Sequence, residues 1–155
     1  MQDGSDEQRS VIDELLRRGL TYADAVAWRA VVTRGPCAAF GVTHQVEAVM
    51  NWRAFFCLEY VQAWYDSSLD AQDAFEWACV GYSPSQALAV QWCLLEAALE
   101  AAAAGDDVQA LLEREDEWRR SWLRPDQVIR ALRSGLTSPA AAERKVIDQE
   151  RRWSA

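Results

Sequence analysis

The side chains best suited to catalysis or metal binding are few. His44 is the only histidine. Four cysteines stand at Cys37, Cys57, Cys79 and Cys93, and no two of them form a Cys-x-x-Cys pair. A zinc site draws on Cys, His and carboxylate ligands at characteristic spacings, and His44 with three of these cysteines matches none. A carboxylate-bridged di-metal bundle needs two Glu-x-x-His units. Here Gly41 stands where the glutamate should precede His44, and no second histidine follows. A Ser-His-Asp or Cys-His nucleophile would have to use His44, and no Gly-x-Ser-x-Gly signature is present. The glycines are isolated, so no glycine-rich loop can cradle a phosphate. Glu96 with Glu100, and Glu113 with Glu117, read as solvated helix faces rather than acid–base pairs. The chain therefore reads as a non-enzyme, with no catalytic, cofactor or metal residue. With no basic n-region or apolar h-region in MQDGSDEQRS, the expected compartment is the cytoplasm, with four buried free thiols.

The residue types that do recur are those of recognition surfaces. Tryptophan occurs eight times, repeatedly beside arginine: Trp28-Arg29, Trp52-Arg53, Trp118-Arg119-Arg120 and Arg152-Trp153. Adjacent helix residues point about 100° apart, so each pair marks the rim of an apolar face, with tryptophan entering the core and arginine snorkelling. Trp, Tyr and Arg also dominate interface hot spots. The segment DEWRRSWLRPDQ, 116–127, is the best candidate of that kind. Trp118 and Trp122 are spaced as one helical stripe, and Arg119, Arg120 and Arg124 flank it. Trp153 is a second candidate, because a tryptophan so near the end of the sequence has little reason to be ordered unless it docks.

The formal charge is −8, and it is uneven. Residues 41–104 hold eight acids and one base, Arg53. Asp66, Asp70 and Asp73 in that stretch are a candidate face for a basic partner. Residues 124–152 hold seven bases against four acids. An acidic centre argues against a nucleic-acid surface over the whole protein but permits a local one. Its candidates are Arg130, Arg133, Arg144, Lys145, Arg151 and Arg152.

Helical apolar spacing runs through nearly the whole chain, with no alternating strand pattern. The expected fold is an all-α, compact, irregular bundle of about seven or eight helices, built from helical hairpins. Residues 45–65, apolar on most faces, read as one buried central helix. Residues 84–104 form an Ala-rich helix with Leu88, Trp92, Leu95 and Leu99 at 3–4 spacing. No apolar run approaches the roughly 20 residues of a membrane span. One domain over 1–155 is expected, with 1–8 a disordered lead and 124–155 a C-terminal hairpin of some independence.

One punctuation recurs at Gly19, Gly81 and Gly135. A C′ glycine ends a helix, and a Thr or Ser caps the next. Apolar or small residues stand seven before it (Ile12, Ala74, Val128) and three before it (Leu16, Ala78, Leu132). Ala25, Ala87 and Ala141 stand six after it. A helix-turn-helix places its second helix in a DNA groove, but the first two copies open that helix without a base. Residues 38–52 look most like that motif, yet Glu47 occupies its buried anchor position. Only the copy at Gly135 delivers bases, on 138–152.

These features point to a non-catalytic protein-binding module: an adaptor, inhibitor or immunity-type protein, of a kind phages also encode. Its acidic central surface and Trp/Arg segment would meet another protein, away from membranes. The alternatives are a nucleic-acid-binding regulator using 138–152 and a homo-oligomer paired through exposed tryptophans.

Overall fold

The computed structural model describes residues 3–35 and 39–154. Among these residues every regular element is an α-helix. They are α1 (Asp3–Arg17), α2 (Tyr22–Val32), α3 (Val42–Arg53), α4 (Leu58–Tyr65), α5 (Ala71–Cys79), α6 (Pro84–Ala104), α7 (Val108–Arg120), α8 (Pro125–Arg133) and α9 (Pro139–Trp153).

The single central helix expected over 45–65 is instead two helices, α3 and α4. Trp52 O accepts from both Phe55 N and Phe56 N, at 3.1 and 2.9 Å, and the ladder stops. Cys57 is extended and opens α4 as its N-cap. No glycine or proline forces this break. It lets two consecutive bulky rings serve one aromatic cluster. The Phe56 ring lies 5.5 Å from Trp52, 6.1 Å from Trp64 and 6.2 Å from Phe75, while Phe55 lies 5.3 Å from Phe75. In an unbroken helix the two phenylalanines would diverge by about 100°.

The chain packs as two compact units, residues 1–75 and 76–155. In the first, α1 packs on α2 and α3, and α2 also meets α3 and α4. Val11, Leu15, Trp28, Val32, Val49, Trp52, Val61 and Trp64 are buried there. In the second, α6 packs on α7 and α8, and α8 meets α9. Trp77, Tyr82, Val90, Leu94, Trp118, Leu123 and Val128 are buried there.

The recurring glycine device is a Schellman turn each time. Gly19, Gly81 and Gly135 all adopt positive φ, where L side chains are strained. The residue after each glycine donates its N–H five residues back: Leu20 to Leu15 O, Tyr82 to Trp77 O and Leu136 to Ala131 O, each 3.1 Å. The motif joins these two positions by an apolar contact. That corrects the register read from the sequence. The buried residue lies four before the glycine (Leu15, Trp77, Ala131), whereas Leu16 is exposed. Thr21 Oγ1 caps α2 by accepting from Asp24 N, and Ser83 with Gln86 forms a capping box on α6. The third turn is one residue longer, with Ser138 as N-cap. Ala142, rather than Ala141, is the alanine buried there.

Gly35 is fixed by crowding. A β-carbon there would run into the edge of the Tyr65 ring. Tyr65 is buried and its hydroxyl donates to Val32 O at 3.1 Å, so the ring cannot swing aside. Gly35→Ala is therefore expected to lower stability by about 1–3 kcal/mol, the usual range for overpacking. An unchanged urea midpoint would refute this account.

Candidate functional site

α6 is the longest described helix, and its ends are set by local chemistry. Ser83 caps it, Pro84 occupies its first turn and Gly105 closes it in the left-handed conformation. Between them lie two apolar stripes. Ala87, Val90, Leu94 and Ala98 are buried. Leu88, Trp92, Leu95 and Leu99 are exposed, Trp92 at 64% and Leu99 at 63%. The stripe of large residues thus faces solvent, and the mostly small residues face the packing. Small residues let α7 and α8 approach the α6 backbone closely, which larger ones would prevent.

The exposed stripe has the 4-3-4 spacing of a two-helix seam. Glu96 and Glu100, both exposed, lie beside it, and α6 carries no base. Trp92 Nε1 donates to Glu96 Oε1 at 3.1 Å, which tethers the indole. By length and composition α6 is also apolar enough to cross a membrane, which corrects the expectation that no run approaches that length.

The Trp/Arg segment is not a single exposed stripe. α7 ends at Arg120, and Ser121 is extended, so Trp122 leaves the helical register of Trp118. Trp118 is fully buried and Arg119 is 8% exposed; neither can meet a partner. The Arg119 guanidinium lies 4.7 Å over the Trp77 ring. It pairs with Glu76, with Glu115 at 3.1 Å and with Asp116 at 3.3 Å. Gln91 Nε2 adds a bond to Glu115 at 3.1 Å. Trp77 in turn meets Tyr82 edge-on, ring centroids 4.6 Å apart. Burial pushes the Tyr82 hydroxyl up to about 12.

Arg120, Trp122 and Arg124 are exposed, as is Trp153 at 91%. Asp66 and Asp70 are exposed in the first unit, while Asp73 is half-buried. Asp70 Oδ1 accepts from Asp73 N at 2.9 Å, a capping role at the start of α5. Arg130, Arg133, Arg144, Lys145, Arg151 and Arg152 are all exposed, with Asp148 and Glu150 among them.

The thiols depart from expectation: Cys57 and Cys79 are exposed and Cys93 is half-buried, while Cys37 lies outside the described residues. Cys57 is the N-cap of α4 and Cys79 the last residue of α5, so these two thiols sit at helix ends rather than in the core. His44 is exposed and stacks at 5.5 Å on Phe40. Among the described residues no three His, Cys, Asp or Glu side chains cluster as metal ligands. Comparison with protein-family models, with curated proteins and with solved structures found no match to this chain.

Two outcomes follow from the buried arginine stack. Arg119→Ala should cost about 1–3 kcal/mol in urea unfolding, less than the penalty of stranding a buried charge because Glu76, Glu115 and Asp116 stay partly hydrated; a loss below about 1 kcal/mol, the surface-pair range, would return Arg119 to a surface role. Tyr82 predicts a pH dependence. Below the ordinary tyrosine value, about 10, both folded and unfolded states keep the proton and the residue adds no slope. As pH rises from there toward 12, the unfolded state ionises first and stability falls. Tyr82→Phe should remove that decline, measured as the urea midpoint against pH; an equal decline in the variant would contradict it.

Proposed function

We propose that this protein is a non-catalytic protein-binding module, an adaptor or inhibitor, that docks a partner helix on the outer face of α6. The observation that carries this is the exposed seam of Leu88, Trp92, Leu95 and Leu99, flanked on α6 itself by acids and no base, with Arg133 of α8 lining a hollow beside the same two glutamates. A seam of that spacing fits an amphipathic helix laid along it. The rim selects the partner's flanks: Glu96 and Glu100 complement lysine or arginine beside the partner's apolar stripe. A second copy would bring the same two glutamates, so self-pairing is disfavoured. An anionic bilayer is disfavoured for the same reason, because helices that lie on membranes carry basic rims. Trp122, flanked by Arg120 and Arg124, and Trp153 are further exposed anchors for a partner. A cytoplasmic setting suits the exposed thiols of Cys57 and Cys79, which stay reduced there.

A second reading, nucleic-acid contact by α8 and α9, is favoured by the exposure of their six bases and opposed by Asp148 and Glu150 on the same helix.

A photo-crosslinking residue at position 92 or 99 tests the docking face in the native host. The expected result is a crosslink from both positions to one other protein, at a helix with basic flanks, and none from position 47. Trp92→Ala should then weaken that complex by ~30-fold or more, the hot-spot range. Crosslinks only to the chain itself, or from position 47 alone, would overturn the reading.

A further inference from the structure

The α8–α9 hairpin encloses a hollow of about 110 Å³ that shares no lining residue with α6. Its floor is apolar, built from Ala131, Leu136, Ala142 and Val146, and Arg130 and Lys145 stand among the same lining residues. Ala131 and Ala142 are buried, and the two cations are exposed at its edge. Gln127, Ser134 and Gln149 complete the wall, and no carboxylate lines it. Neither Arg130 nor Lys145 is ion-paired among the described residues. Of the nearest acids in sequence, two are engaged elsewhere. Asp126 pairs with Arg124 at 3.4 Å, and Glu143 accepts from Ser121 at 2.8 Å. Asp148 borders the adjoining surface hollow, which shares Lys145 and Gln149 with this one and carries two further bases, Arg144 and Arg152.

Two unpaired cations beside an apolar floor, in a chain of net charge −8, select both ends of a ligand. The charged end is an anion, which arginine can grip with two parallel N–H donors. The other end is hydrocarbon. The volume is below the ~150 Å³ of a cavity that holds one benzene, so the hydrocarbon is short. Ser134, at the carbonyl end of α8, lines the hollow, and that end carries partial negative charge. It disfavours a doubly charged phosphate and leaves a single negative charge as the better fit.

We infer that the α8–α9 hairpin is a binding site for a small monocarboxylate with a short hydrocarbon tail, separate from the docking face of α6. The carboxylate bridges Arg130 and Lys145, and the tail covers Ala142 and Val146.

The test is a titration of the full chain followed by backbone amide NMR, with pentanoate as the probe. Pentanoate is expected to shift the amides of 127–149 saturably. Pentylamine should not, and acetate should bind at least ~5-fold more weakly because it leaves the floor empty. Lys145→Glu, at an exposed position that leaves the fold intact, should weaken pentanoate by ~10-fold or more. Arg130→Gln should do likewise. Three results would each overturn the proposal: acetate binding as tightly as pentanoate, pentylamine shifting the same amides, or both variants binding unchanged. A DNA duplex that shifts these amides at low salt while pentanoate does not would assign the cations to nucleic acid instead.

Discussion

A helix with two apolar stripes can satisfy only one of them by intramolecular packing. α6 satisfies the narrow one. Ala87, Val90 and Ala98 are small enough for the α6 backbone to come close to α7 and α8, and Leu94 fills the remaining space. The cost is that Leu88, Trp92, Leu95 and Leu99 project the other way. Swapping the stripes would hide more apolar area but would hold the neighbouring helices further off, and the second unit would lose its close-packed core. Outward display of large side chains is therefore tied to how the unit is built. A contiguous apolar patch of that kind is uncommon on a protein that works alone.

The Arg119 stack is the polar counterpart of that arrangement. Gly81 turns the chain so that Tyr82 meets Trp77 four residues before the glycine, and the guanidinium of Arg119 lies over the same indole. One cation there faces three carboxylates from α5 and α7. Glu115 and Asp116 come from its own helix, and Glu76 from α5, so a single side chain ties two helices together. The carboxylates keep part of their hydration, which lowers the cost of holding the charge below the surface.

Much of the helical layout was legible because it is written in local chemistry. Ser83, Pro84 and Gly105 mark the ends of α6 without reference to any neighbour. Gly19, Gly81 and Gly135 do the same for the hairpins. What was not legible depends on contacts between distant residues. The break at 54–57 carries no glycine or proline; the gain is an aromatic cluster whose members, Trp52, Phe56, Trp64 and Phe75, are scattered along the sequence. The choice between the stripes of α6 was hidden because both have helical spacing, and only side-chain volume separates them. Trp118 and Trp122 looked equivalent at one turn's separation. The helix stops between them, so one became core and the other surface, and Arg119 went inward with Trp118.

The extra residue in the Gly135 turn sets which side of α9 meets α8. One residue rotates a helix face by about 100°, so Ala142 faces inward and Lys145 and Val146 reach the hollow, while Ala141 and Arg144 do not share its floor. The identity of the bordering side chains is thus governed by turn length as much as by the composition of α9. Over evolutionary time, a single-codon deletion at Thr137 would present a different set of α9 residues at once, with every amino acid of the helix unchanged. Insertions and deletions in this loop are then a faster route to altered recognition than point substitutions along the helix, and relatives that differ in loop length should differ in ligand even where their helices agree.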